Sequence, residues 1–209
     1  GHVTGVQTCA LPILLVVTPS FPPKNIREFV ALAKARPHDI TYGSAGFSTQ
    51  THLAAENFIA ATKIDVIHIP YKGEAPAIAD VMGGQVQFAT ANMAAAINFI
   101  QQGKLRALGV TSKQRSPQLP NVPAIAETIP GFENIGWFGL MVAAGTPKEI
   151  VEKIYRDTVR ALEAPDIKSR FEGLGMAPVG NSPADFAKAI REETETWGKI
   201  VRERKLVVE

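Results

Sequence analysis

Short apolar runs and amphipathic stretches alternate along this chain from Leu14 onward, joined by links of only a few residues. Leu14 to Val17 reads as a buried strand. Asn25 then opens a helix over residues 26–36, with Glu28 in the capping-box position and an apolar stripe of Ile26, Phe29, Val30 and Ala33. Pro37 stops it. Further strands are expected at 40–42, 64–69, 85–90 and 105–111. Helices come after the first three: from Thr49 to about Ala61, from Gly73 to Gly83-Gly84, and from Asn92 to near Gly103. A loop punctuated by Pro117, Pro120, Pro123 and Pro130 has room for one helical turn, and Ile135 to Ala143 is a strong strand. Thr146-Pro147-Lys148-Glu149 and Ser182-Pro183-Ala184-Asp185 each carry a cap followed by proline, the chemistry of a helix start. The last helix should reach about Arg204. Strand–helix alternation with tight links predicts an α/β chain whose sheet is mostly parallel and covered by helices on both faces. In such sheets ligands bind beyond the carboxyl ends of strands, against helix N-termini.

Charge and cysteine content narrow the function classes. A formal net charge of +2 on 209 residues gives no footing for nucleic acid or an anionic membrane surface. Residues 148–209 hold 12 Lys/Arg and 12 Asp/Glu with alternating signs, as on solvated helix faces. Cys9 is the one cysteine, so no intrachain disulfide can form. The run around Ile13 to Val17 is far shorter than the ~20 residues that span a bilayer, and it lacks the basic start and cleavage site of a secretory leader. Residues 1–13 fit poorly with the rest of the chain. Gly5-Val6-Gln7-Thr8-Cys9-Ala10-Leu11-Pro12-Ile13 reads either as translated sequencing-adapter sequence or as an irregular N-terminal tail, and the fold expectation starts at residue 14.

The segment richest in chemistry is Tyr42-Gly43-Ser44-Ala45-Gly46-Phe47-Ser48-Thr49-Gln50-Thr51-His52. Glycines let a backbone approach a ligand closely. Thr49 or Ser48 is placed to cap the helix, leaving first-turn N–H groups that favour an anion. No lysine or arginine lies in the loop, which points to a small carboxylate held by backbone and hydroxyl donors. The alternative is an ordinary strand–loop–helix link. The loop is neither G-x-G-x-x-G, nor a Walker loop, nor a nucleophile elbow. Tyr71 and Lys72 mark a second strand-to-helix corner, where they either wall a pocket or simply pack and solvate. Asn92 marks a third, where it caps the helix or meets ligand. Trp137 and Phe138 read as core packing. His2, His38, His52 and His68 show no metal-ligand spacing. A Ser48 or Ser44 nucleophile with a His52 base is the remote enzymatic alternative.

Five motifs in order carry a resemblance: Tyr42-Gly43-Ser44-Ala45-Gly46 with His52-Leu53-Ala54; His68-Ile69-Pro70-Tyr71-Lys72-Gly73; Gly103-Lys104-Leu105-Arg106-Ala107-Leu108; Trp137-Phe138-Gly139-Leu140; and Ala144-Gly145-Thr146-Pro147. Together, over about Leu14 to Lys205, the chain resembles the substrate-binding proteins of tripartite tricarboxylate transporters, the Bug family. The resemblance implies a periplasmic, two-lobed Venus-flytrap receptor that is not an enzyme, needs no cofactor and is monomeric at full length. It would capture a small mono- or dicarboxylate and pass it to membrane permease subunits. A ligand-sensing module of the same fold is the alternative. The family holds its ligand between two strand–turn–helix loops, one per lobe, and the second-lobe loop matches Ser44 to His52. The implied contacts are Ser44, Ala45, Gly46, Phe47, Ser48, Thr49, His52, Tyr71 and Asn92, with Ser44, Gly46, Ser48 and Thr49 as donors and His52 orienting the loop.

By the family's layout, residues 14–134 form the second, ligand-binding lobe and 135–209 the returning part of the first. That first lobe is expected to be incomplete, with an exposed apolar sheet edge and poor solubility. Two departures bear on the ligand. Ser48 stands where glycine is common, which puts that turn in question. Ala91 replaces an acidic residue common before the asparagine, which favours a plain carboxylate over an amino acid.

Overall fold

A computed structural model describes residues 4–204 and residue 206. Its organising element is one long strand, β1 (Thr4–Val17). After it come α1 (Ile26–Ala35), β2 (Thr41–Ser44), α2 (Gln50–Thr62), β3 (Ile67–Pro70), α3 (Glu74–Met82), β4 (Phe88–Asn92), α4 (Met93–Gln101) and β5 (Arg106–Val110). A single 3-10 turn, Ile125–Glu127, sits in the proline-rich loop. The chain closes with β6 (Ile135–Val142), α5 (Lys148–Glu163), α6 (Pro165–Gly173), β7 (Ala177–Pro178) and α7 (Pro183–Arg204).

The main sheet has the order β3-β2-β4-β1-β5. Strand β2 is parallel to β3 and β4, while β1 runs antiparallel to both β4 and β5. Strands β2 to β5 therefore share one direction, and β1 alone opposes them. Alternation along β1 explains why its end is apolar throughout. Leu14 and Val16 face a core closed by α3 and α4 through Ile78, Val81, Met93, Ala96 and Ile97. Leu15 and Val17 face the opposite core, closed by α1 and α2 through Ile26, Phe29, Ala33, Ala55, Phe58 and Ile59. A strand buried on both faces has no polar side to show.

The helix starts follow their local chemistry in part. Asn25 accepts the Glu28 N–H at 2.9 Å, and the Glu28 carboxylate reaches back to the Lys24 N–H at 2.8 Å. Ser182 accepts the Asp185 N–H at 3.1 Å before α7. At α5 the expected cap moves by one residue. Pro147 occupies the cap position, and the Thr146 hydroxyl turns back to the Ala143 carbonyl at 2.8 Å.

The expectation of an irregular tail before residue 14 is corrected. Thr4 to Pro12 continues β1 and pairs antiparallel with β6, from Thr4↔Val142 to Pro12↔Ile135, and Cys9 and Ala10 pair with β7. The partner strand supplies the ladder that local composition does not suggest, since strand formation depends on cross-strand neighbours more than on intrinsic preference. Residues 1–3 lie outside the described residues.

Strand β6 has two unlike faces. Inward, Gly139 lies so close to Phe186 that an added Cβ would sit 2.6 Å from the ring. Outward, Phe138 and Leu140 are 56% and 50% exposed, and Met141 is 53% exposed beside them. An apolar strip of this kind is expected to make the chain self-associate. Exchanging Phe138 for serine and Leu140 for threonine together should raise the monomer fraction in sedimentation velocity. Unchanged association would place the adhesive surface elsewhere.

Candidate functional site

Because β2, β3 and β4 are parallel, their carboxyl ends lie side by side, and each runs into the helix after it. Three helix N-termini thus gather at one sheet edge, with the 44–52 loop at the head of α2. This is the edge where the partial positive charge of helix starts accumulates.

The loop is fixed by a dense internal network. Ser44 is fully buried, and its Oγ accepts the Gly46 N–H at 3.2 Å and lies 2.7 Å from His68 Nε2. The Ala45 N–H donates to Thr51 Oγ1 at 3.0 Å. Thr49 donates to the Gly46 carbonyl at 2.8 Å and caps α2 by accepting the His52 N–H at 3.3 Å. Gly46 adopts φ +124°, and a Cβ there would approach the Tyr71 carbonyl to 3.1 Å. Only glycine fits that combination.

Ser48 sits at φ +59°. It keeps the left-handed turn that a glycine would take freely, at a cost of about 1–2 kcal/mol for an L-residue. Its N–H donates to His52 Nδ1 at 3.1 Å, which holds the strained turn in place. His52 therefore orients the loop.

The amides of this loop divide into two sets. Those of Ala45, Gly46, Ser48 and His52 are consumed within the loop. A helix offers its first N–H groups no intrahelical partner, so with the His52 amide capped, those of Thr49, Gln50 and Thr51 remain among the described residues, and Thr51 is itself buried at 1% exposure. Thr49 and Gln50 are half-buried, whereas Phe47 and Ser48 stand exposed at the tip. The expected donor set thus shifts from Ser44, Gly46 and Ser48 toward the start of α2. A sharp loop must satisfy its own buried groups first.

The other two corners are held by carboxylates of α3. Tyr71 presents its ring against Gly43, while its hydroxyl donates to Asp80 at 2.6 Å. Burial, then Asp80, pushes the phenol up to about 12. Tyr71 offers a wall and no free donor. Asn92 occupies the cap position of α4 without a side-chain capping bond. Its backbone N–H donates to Glu74 Oε2 at 2.9 Å and its amide NH₂ to Glu74 Oε1.

Sequence reasoning named His52 but missed its partners beneath the loop. His52 and His68 stack at 4.2 Å with a 14° interplanar angle, and Tyr42 stacks on His68 at 4.7 Å. The Tyr42 hydroxyl donates to the buried Glu56 at 2.6 Å. Phe47 closes the column edge-on to both imidazoles. The available signal was the i, i+4 spacing of His52 and Glu56, which puts both on one helix face. Gln50 links the loop to β6 by donating to the Trp137 carbonyl at 2.9 Å.

Residues 3–206 match the family described as Tripartite tricarboxylate transporter family receptor. The chain is 35% identical over 203 residues to the UPF0065 protein in the tcbD-tcbE intergenic region of Pseudomonas sp. strain P51, covering 96% of this chain and 60% of that relative. R. palustris Rpa4515 with adipate superposes with a TM-score of 0.92 at 30% identity, over 99% of this chain and 70% of that one. MatC (Rpa3494) from Rhodopseudomonas palustris with bound malate gives a TM-score of 0.88 at 29% identity, over 95% and 69%. The chain therefore spans well under the full length of these proteins. A mixed α/β sheet and a match along nearly its whole length place the chain in the tripartite tricarboxylate transporter receptor family.

Proposed function

We propose that the chain is the ligand-holding part of a periplasmic solute-binding protein that captures a small mono- or dicarboxylate for a tripartite tricarboxylate-type permease. The observation that carries this reading is the head of α2, where the amides of half-buried Thr49 and Gln50 remain after the loop has met its own needs. The dipole there favours an anion by about 0.3–1 kcal/mol, up to ~2 in a partly buried site. Each charge-assisted hydrogen bond adds about 1.5–3 kcal/mol. Two such bonds supply much of the ~8 kcal/mol of a micromolar complex. Adipate and malate, named with two structural neighbours, are both dicarboxylates, which supports the ligand class.

In the same reading, residues 14–134 form the ligand-binding lobe. Residues 135–209 belong to the other lobe, and the Thr4–Pro12 part of β1 joins them through its pairing with β6. The loop holds rather than reacts. Ser48 meets His52 through its backbone N–H, which occupies the Nδ1 lone pair, and His52 Nε2 faces Glu56 at 3.9 Å. Neither ring nitrogen is placed to take a proton from the Ser48 hydroxyl.

The test is calorimetry of the full-length gene product against a panel of mono- and dicarboxylates, with uncharged amides of the same shapes as controls. Saturable heat from carboxylates alone is the expected result. Silence across the panel would remove the carboxylate assignment.

A further inference from the structure

We propose that His52 and His68 are a stacked positioning pair whose joint neutrality holds the 44–49 loop in its ligand-ready shape, so that mild acid opens the loop. This rests on the binding reading for its consequence, though not for its mechanism.

Hydrogen-bond donors and acceptors assign both tautomers. The Ser44 hydroxyl has one proton, which it gives to the Gly46 carbonyl at 3.2 Å. With that donation made, its oxygen is left to accept from His68 at 2.7 Å, which assigns the His68 proton to Nε2 in this proposal. His52 Nδ1 accepts the Ser48 N–H, so His52 is also protonated on Nε2. A second proton would have to enter at Nδ1 of either ring. On His52 it would meet the Ser48 N–H head-on and expel the donor that stabilises the φ +59° turn. On His68, Nδ1 is buried and has no partner among the described residues. A proton there would place an unsolvated charge against the neighbouring imidazole, 4.2 Å away between ring centroids.

The charged and titratable groups facing the pair are few. Glu56 lies on α2, with its Oε1 3.9 Å from His52 Nε2 and 2.6 Å from the Tyr42 hydroxyl of β2. Asp80 of α3 accepts the hydroxyl of Tyr71, which lies in the link between β3 and α3. Burial lowers both histidines, His68 to about 4 with His52 as a further cause, and Glu56 opposes the shift only in part. A folded value below the ordinary 6.5 means that the neutral pair stabilises the loop above about pH 6.5, and that this stabilisation is lost as pH falls from there toward about 4.

The experiment is amide hydrogen exchange on the ¹⁵N-labelled chain, corrected for intrinsic rates, with histidine ring shifts followed in parallel. The Ser48 protection factor should fall about tenfold between roughly pH 7 and pH 5.5, while amides of central β1, such as Leu15, keep theirs. His52→Asn with His68→Gln supplies a non-titrating acceptor and donor at the same places. It should restore protection at pH 7 and flatten its pH dependence, whereas His52→Ala should lose protection at both. A flat wild-type profile, a parallel fall in Leu15 protection, or an equal fall in the Asn/Gln variant would overturn the proposal. The carboxylate panel separates the two readings. Acid opening without binding at any pH removes the ligand assignment alone, and binding to a pH-insensitive loop removes this one alone.

Discussion

Phe88→Ala is expected to lower the unfolding free energy by about 3–5 kcal/mol, the usual range for truncating a buried aromatic. Phe88 is 0% exposed and lies at the start of β4, opposite Val17 of β1 and Tyr42 of β2. Its ring meets Phe29 edge-on at 4.9 Å and stacks on Tyr42 at 5.2 Å. Tyr42 stacks in turn on His68, and His68 on His52. Removing Phe88 therefore leaves a cavity under α1 and also withdraws support from the column beneath the 44–52 loop. Urea denaturation followed by circular dichroism should show a lowered midpoint with an unchanged slope. A loss under ~1 kcal/mol would mean that the core relaxes into the space.

The second large effect is on binding. Gly46→Val should weaken carboxylate affinity by on the order of a hundredfold, the equivalent of losing one to two charge-assisted hydrogen bonds. Two features make the position intolerant: φ is +124°, and the added Cβ would approach the Tyr71 carbonyl, which as backbone cannot step aside. The neighbouring Thr49 hydroxyl depends on the Gly46 carbonyl, so the distortion reaches the cap of α2 directly. Stability should fall by only about 1–3 kcal/mol, as expected for local backbone strain. Calorimetry together with thermal denaturation distinguishes the effects. Wild-type affinity in this variant would mean that the loop backbone does not shape the site.

Much of the fold can be read in the sequence because its determinants are local. Asn25 with Glu28, and Ser182 with Asp185, satisfy helix-start amides within a few residues. The apolar end of β1 announces burial on both faces. Features set by distant partners are less legible. Residues 4–12 are a strand because β6 lies beside them, and no alternation in Thr4-Gly5-Val6-Gln7-Thr8 announces it. Asn92 has the local chemistry of a cap, yet Glu74, 18 residues earlier, captures both its N–H and its amide.

The 44–52 loop divides along the same line. Its position, the Thr49 cap and the orienting role of His52 follow from a strand–glycine loop–helix pattern. The use of four of its amides inside the loop comes from the tight turn at Gly46 and Ser48, where buried polar groups must find partners at once. His68 reads locally as an ordinary strand residue. Its ring acquires a role only when β3 brings it beside Ser44 and α2 lays His52 over it.

An anion seated on the first turn of α2 must reveal itself in the amides it accepts from. In a ¹⁵N–¹H spectrum recorded with increasing carboxylate, the Thr49 and Gln50 resonances are predicted to move downfield together and to saturate with the calorimetric isotherm. The Leu15 and Phe88 resonances should stay in place. Heat of binding with those two amides unmoved, or with the main shifts at another surface, would contradict a carboxylate site at this helix.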